Sequence, residues 1–363
     1  MNRLRRGAAS TLVGAIAALG FATPAAADPI RDGEWHLGFL DVAQAHTYSE
    51  GEGVVVAVVD TGVDAGHPDL AGSVLPGKDL SGTNSDGRQD DDGHGTAMAG
   101  IIAAHGRTLG IAPKAKILPV RNRTSNVGAS SGSEALEWAI DNGARVLCLA
   151  FGQEDTPRTK RAIERAVSRD IVVVAAVGNE PHLPGNDYPA AYPGVVGTAG
   201  VDKNGNHAAI SVISPSAMLA APAVGIVSAG IRTAGRNGYR TGTGTSASTA
   251  IIAGAAALIR AKYPAMSATE VIHRLTATAD DKGKPGRDNE YGYGVVNLVK
   301  ALTADVPPLR PSATPTTPEP TQVATPQNHD GAPVRTVAIV GALLIVAALC
   351  AGFITIAVRR RTR

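Results

Sequence analysis

The sequence predicts an α/β fold with a mostly parallel central sheet, and three observations carry that reading. Gly53–Asp60 reads Gly-Val-Val-Val-Ala-Val-Val-Asp, a continuous apolar run of the kind buried on both faces of a parallel sheet. Further apolar runs follow at Lys116–Val120, Arg145–Phe151 and Ile171–Val177, each preceded by a helical pattern at His94–His105, Ser133–Asn142 and Pro157–Arg169. The 42 glycines and only 4% aromatic residues fit tight turns and helices lying close on a sheet.

After these alternating units the pattern changes to short strands separated by turns, at Val195–Val201, Ile210–Val212, Met218–Ala220 and Ile226–Ser228. Ser246–Lys262 then reads as a long apolar helix stopped by Pro264. A shorter helix follows over Ser267–Thr278, with Ser267 as N-cap and Glu270 three residues on, a capping box. The domain spans residues 53–304. Ahead of it, residues 28–52 form a short arm in which Trp35, Leu37, Leu40 and Val42 are apolar among polar neighbours. This segment is expected to be an extended arm with a short helix lying on the domain, too short for a separately folded unit.

The two ends read as membrane signals. Residues 1–27 have a basic start, an apolar run and Ala25-Ala26-Ala27, which is a secretory signal peptide. Residues 305–335 are Pro-rich and read as an extended linker. Residues 336–358 are long and apolar enough to cross a bilayer, and the basic tail 359–363 places the C-terminus in the cytoplasm and the domain outside. The formal net charge of +2 is carried by seven terminal arginines, whose removal leaves about −5, so composition argues against nucleic acid as a partner. Two cysteines, Cys148 in a predicted buried strand and Cys350 in the span, are placed too differently to pair, and Cys148 reads as a buried core thiol.

One constellation carries chemistry. Amide hydrolysis through an acyl intermediate needs a nucleophile, a base, a carboxylate that orients the base, and donors for the developing oxyanion. Asp60 ends the first predicted strand, and His94 opens a helix between two glycines that leave room for other backbone to approach the ring. Ser246 sits in Thr-Gly-Thr-Gly-Thr-Ser-Ala-Ser, at the mouth of the long helix, where first-turn N–H groups face outward. Asn179, after the strand ending at Val177, supplies an amide as second oxyanion donor beside the Ser246 N–H. Asp60 and Asn179 both stand at the carboxyl ends of parallel strands, where such folds collect their ligands.

Asp-Thr-Gly at 60–62, His-Pro-Asp-Leu at 67–70, Gly-His-Gly-Thr at 93–96, Gly-Asn at 178–179 and Gly-Thr-Ser-Ala-Ser at 244–248 resemble, in order and spacing, the motifs of subtilisin-family serine proteases. The resemblance covers about residues 50–300 and implies the three-layer fold of that family. Adding the signal peptide, Asp-Pro-Ile-Arg and Glu-Trp-His-Leu in the arm, the Pro-rich linker and the C-terminal span, the layout resembles the mycosins, membrane-anchored subtilases of actinobacterial type VII secretion. That resemblance implies a protease at the outer face of the membrane that acts on protein or peptide substrates and associates with a membrane secretion complex. A general surface protease and a structural subunit of such a complex are the alternative readings.

The family likeness also assigns Ala150, Phe151 and Gly152 to the strand that pairs with an extended substrate, and Ala176 and Gly178 to a wall of the substrate pocket. No cofactor is called for. The segment His105–Pro113 is shorter than the calcium loop of many subtilisins, so no calcium site is expected there. Asp90-Asp91-Asp92 lacks the spacing of a metal site and reads as a solvated loop. Pro222-Ala223 stands where the family has Pro-Gly, and the mycosin disulfide cysteines are missing. Asp64 and Asp69 read as turn residues, and the histidines other than His94 as surface or core-edge side chains.

Overall fold

The computed structural model describes residues 28–309 apart from 83–84, 123–131, 183–184, 186 and 233–236. The expected signal peptide, most of the linker, the expected span 336–358 and the tail lie outside the described residues. Among the described residues no helix is long and apolar enough to cross a membrane.

Seven strands form one sheet: β1 (Val55–Asp60), β2 (Lys78–Asp79), β3 (Lys116–Arg121), β4 (Val146–Leu149), β5 (Val172–Ala176), β6 (Val195–Val201) and β7 (Ala217–Pro222). Their order is β2-β3-β1-β4-β5-β6-β7 and every pairing is parallel. A separate antiparallel hairpin joins β8 (Ile226–Ala229) to β9 (Tyr239–Gly242). The helices are α1 (Pro29–Asp32), α2 (Trp35–Phe39), α3 (Val42–His46), α4 (His94–Ala103), α5 (Gly132–Asp141), α6 (Pro157–Ser168), α7 (Thr245–Lys262), α8 (Ala268–Ala277) and α9 (Leu298–Thr303).

The apolar run of β1 is buried on both sides, as its composition requires. Val56 and Val58 point into a core shared with α4 and α7, whereas Ala57 and Val59 point into one shared with α5 and α6. Helix α7 lies against the sheet with nearly every residue buried, Ala and Gly included. Those small side chains let it approach closely: a methyl group on Gly254 would stand 2.7 Å from Ile111 Cβ. Its far end is held by Arg260, which pairs with the carboxylate of Asp170 just before β5.

Chain order explains where the site falls. From β1 the chain moves outward to β2 and β3, then returns to place β4 on the other side of β1. The strand order therefore reverses between β1 and β4, and the crevice that opens at such a reversal lies beyond the carboxyl ends of the strands. Asp60 and Ala150 stand at that point.

The predicted alternation of strands and helices holds to within one or two residues at most boundaries, and the capping box between Ser267 and Glu270 is formed. Three expectations change. Ile210–Val212 is no strand; Ser211 makes a single bridge to Asn179. The expected strand over 218–220 is longer, and β9 adds a strand that Tyr-Arg-Thr-Gly, with no apolar alternation, does not announce. The arm is three short helices rather than an extended segment with one, since Asp28 caps the helix that begins at Pro29 by accepting from Ile30 N, and local turns satisfy the backbone that an extended arm would leave open.

The arm is tied to the loop after α4. Asp28 pairs with Arg107, Arg31 donates to the Gly106 carbonyl, Leu109 N donates to Glu34 at 3.1 Å, and Trp35 Nε1 donates to the Val224 carbonyl. Two of its titratable groups are buried. Burial lifts the Glu34 carboxyl to about 7 against the pull of the Leu109 N–H. His36 is fully buried, neither of its ring nitrogens has a hydrogen-bond partner among the described residues, and burial lowers it to about 4.

The signs are opposite. Stability from Glu34 is present in full below its ordinary value of 4.5 and is lost as pH rises through 7. Stability from His36 is present above its ordinary 6.5 and is lost as pH falls toward 4. Amide exchange of residues 28–46 separates them: Glu34→Gln should leave an arm that loosens only on acidification, and His36→Phe one that loosens only as pH rises. Exchange indifferent to pH in both variants contradicts the burial account.

Candidate active site

The carboxylate and the ring meet because two backbone segments touch. Gly62, with φ +99°, follows Asp60 closely; a methyl group on it would lie 1.9 Å from the Gln89 carbonyl oxygen. A methyl group on Gly95 would lie 2.0 Å from the Gly62 carbonyl oxygen. Glycine at both places lets the β1 turn lie against the Gln89 backbone ahead of α4 and against the first turn of α4 itself. The contact is sewn by hydrogen bonds: Gly95 N donates to Thr61 Oγ1 at 2.9 Å, and Asp64 N to Thr96 Oγ1 at 2.9 Å. The room beside His94 thus serves backbone contact at Gly95 rather than approach to the ring, while Gly93, at φ +94°, makes the left-handed turn into the helix.

Asp60 is fully buried. Its Oδ1 accepts from Thr61 N at 2.7 Å, and both oxygens accept from His94 Nδ1, at 2.9 and 2.8 Å. The His94 side chain is 24% exposed, so the ring spans from the interior to the crevice.

Ser246 occupies the first turn of α7. Its Oγ donates to the Ala150 carbonyl at 3.0 Å. Asn179 is held by its oxygen: Oδ1 accepts from Thr245 N at 2.9 Å and from Thr245 Oγ1 at 3.1 Å. That engagement leaves the amide group as the donor end. Gly244, at φ +153°, lies beside it, and a methyl group there would stand 3.1 Å from Asn179 Nδ2. His94, Asn179, Gly244 and Ser246 line one cavity of about 230 Å³. All four residues singled out from the sequence are thus brought together, Asp60 behind His94 and the other three on the cavity wall.

The five residues expected to contact substrate do not line that cavity. Ala150, Phe151 and Gly152 follow β4, Ala176 ends β5, and Gly178 turns out of β5 at φ +107°. They stand at the carboxyl edge of the sheet, where Ala150 O holds Ser246 and Gly178 O accepts from Thr245 Oγ1 at 3.3 Å. The cavity opens the other way, between α4, β8 and β9. Cys148 is fully buried within β4, and burial pushes its thiol well above the ordinary range, so it is no nucleophile.

The acidic run before His94 is a scaffold rather than a solvated loop. Asp90 Oδ1 accepts from Asp92 N and Gly93 N, and Oδ2 from Thr96 N at 3.0 Å and Thr96 Oγ1 at 2.6 Å. Asp92 Oδ1 accepts from His94 N at 3.0 Å, and Asp91 pairs with Arg121 at 2.9 Å. Burial raises the Asp90 carboxyl, partly offset by the Thr96 and Gly93 donors. An aspartate close ahead of a helix start is a local signal for a carboxylate that binds first-turn N–H groups. Asp69 is likewise more than a turn residue: buried, it accepts from Arg107 N, Thr108 N and Thr108 Oγ1. His67, also buried, has both nitrogens engaged, by Gly238 O and Asp69 N. Among the described residues no group of three or more His, Cys, Asp or Glu is arranged to hold a metal ion.

A three-layer α/β domain with a carboxylate, an imidazole and a serine converging at the sheet reversal is a serine hydrolase architecture. The chain belongs to the subtilase family of serine proteases: the sequence profile described as "Subtilase family" matches residues 51–294. It is 32% identical to Mycosin-1 of Mycobacterium tuberculosis over 343 residues, covering 78% of this chain and 76% of that protein. Among solved structures it resembles the serine protease MycP1, described as an essential component of the type VII (ESX-1) secretion system, at 31% identity and a TM-score of 0.67, covering 76% of this chain and 90% of that one. It also resembles a chain in the periplasmic assembly from the ESX-5 inner membrane complex, at 28% identity and a TM-score of 0.67, covering 83% and 90%. The chain is therefore a subtilisin-type serine endopeptidase related to the mycosins.

The contact between the two backbone segments gives a direct test. Gly95→Ala must push the β1 turn and α4 apart, at a cost of about 1–3 kcal/mol. A lowered denaturant midpoint is expected, together with loss of the downfield proton resonance of a His94–Asp60 hydrogen bond. An unchanged midpoint and resonance contradict the close approach.

Proposed function

We propose that Asp60, His94 and Ser246 form the catalytic triad of this protease, with the Asn179 amide and the Ser246 N–H as oxyanion donors. The observation that carries this is the cavity shared by His94, Ser246 and the amide end of Asn179, with His94 Nδ1 bound to a buried carboxylate.

Nδ1 is committed to Asp60, so Nε2 is the nitrogen that exchanges protons with Ser246 and the substrate. Ser246 Oγ leaves the Ala150 carbonyl, turns toward the ring and attacks the scissile carbonyl as His94 takes its proton. Buried Asp60 stabilises the imidazolium so formed. Negative charge on the carbonyl oxygen is met by Asn179, whose amide is already aimed by its bonds to Thr245. His94 then protonates the leaving amine, and water repeats the cycle to release the acyl group. An extended substrate laid along Ala150–Gly152 would present its carbonyl there, with Ala176 and Gly178 at the side, by main-chain pairing that reads little sequence.

At the finer level, the protease is a membrane-tethered, extracytoplasmic enzyme of a type VII secretion complex that acts on the proteins passing through it. The order of signal peptide, domain, Pro-rich linker and apolar span supports this, as does the likeness to the MycP1 and ESX-5 structures. The same likeness to an assembled complex favours a second, structural role beside catalysis.

A fluorophosphonate probe should label the wild-type protein and spare Ser246→Ala, whose turnover should fall on the order of 10⁶-fold, the loss known for subtilisin. Labelling that survives the substitution removes Ser246 as nucleophile. Asn179→Ala should lower kcat by ~10²–10³, again the subtilisin magnitude, with KM little changed. A loss confined to KM assigns Asn179 to binding instead. Detergent extraction of the full chain should recover it with membrane partners, and recovery as a lone monomer argues for a general surface protease.

A further inference from the structure

Resting on the proposed triad, we infer that Arg240 selects substrates with an acidic side chain on the leaving-group side of the scissile bond. The serine divides the crevice. On one side lies the end of β4, whose Ala150 carbonyl holds Ser246 Oγ and where the acyl half of an extended substrate pairs. On the other lies the cavity between α4, β8 and β9, with His94 in its lining. The leaving amine takes its proton from His94, so the chain attached to that nitrogen runs past the ring and over this cavity.

The lining is chemically divided. Ala97, Met98, Ile101, Ile226 and Ala247 make an apolar floor, and Arg240 brings a cation to the wall. A methyl group on Gly93, the residue before His94, would stand 3.6 Å from Arg240 Nη1, which puts the guanidinium beside the base. Arg240 is exposed and makes no ion pair or side-chain hydrogen bond among the described residues. Its backbone is paired with Ser228 in the hairpin, so the position is fixed while the charge has no partner. A cavity of about 230 Å³ with such a lining fits one side chain that has an apolar stem and a carboxylate tip. Arg is suited to that recognition because its planar fork meets a carboxylate through two parallel hydrogen bonds.

The test uses the membrane-extracted full chain and two quenched fluorescent peptides, identical on the acyl side and carrying Glu or Lys as the first residue on the leaving side. The readout is the ratio of kcat/KM for the Glu peptide over the Lys peptide, measured in each variant after titrating active enzyme with a fluorophosphonate. The wild type is expected to favour Glu by about fivefold to tenfold. Arg240→Gln should bring the ratio near one, and Arg240→Glu should invert it. A wild-type ratio near one in enzyme that the probe labels overturns the role of Arg240 and leaves the triad standing. A ratio that survives both substitutions does the same. Failure of the wild type to label at all overturns the triad and the inference with it.

Discussion

The structure depends on a contact with no side chains in it. The Gly62 carbonyl lies against Gly95, at a distance that no Cβ would tolerate, and through that contact the end of β1 and the start of α4 become one unit. Asp60 sits two residues before the first glycine and His94 immediately before the second, so their pairing follows from the backbone fit. Thr61, Thr96 and Asp90 fasten the same seam with hydrogen bonds. A carboxylate as buried as Asp60 is stable as an anion only where donors surround it. The seam supplies the Thr61 N–H and the His94 ring together.

A second assembly is built on α7. A helix lined with Ala, Gly and Ser can lie deep against the sheet without prising neighbouring layers apart, and its depth sets where Ser246 emerges. Thr249 in the second turn meets Thr198 of β6 at 2.6 Å, a buried pair that fixes the helix along its axis. Thr245, one residue before the serine, holds the oxygen of Asn179 and so orients the amide. The proposed nucleophile and one proposed oxyanion donor are therefore coupled through a residue to which neither role is assigned.

Acidic residues outside the proposed triad mostly serve architecture. Asp90 accepts from Thr96 in the first turn of the His94 helix, Asp69 gathers the loop after that helix, and Glu34 fastens the arm to the same loop. Arg107 of that loop pairs with Asp28 of the arm, and Arg31 of the arm donates to the Gly106 carbonyl. Arg240, on the hairpin facing α4, lines the crevice and makes no ion pair or side-chain hydrogen bond among the described residues.

Local pattern alone was enough for much of this. The Val-rich run of β1, the Gly/Pro breaks and the alternation with amphipathic helices specify a parallel α/β sheet, because strands buried on both faces must be apolar throughout. Asp60, His94, Asn179 and Ser246 were legible because each ends a strand or opens a helix in a glycine-rich frame whose chemistry is local. The helical arm, the burial of His36 and His67 and the opening of the cavity toward β8 and β9 were decided only in three dimensions. Each of them rests on which distant segment a residue meets, and burial, hydrogen-bond partners and the direction in which a crevice opens are properties of pairs of segments that no single stretch of chain encodes.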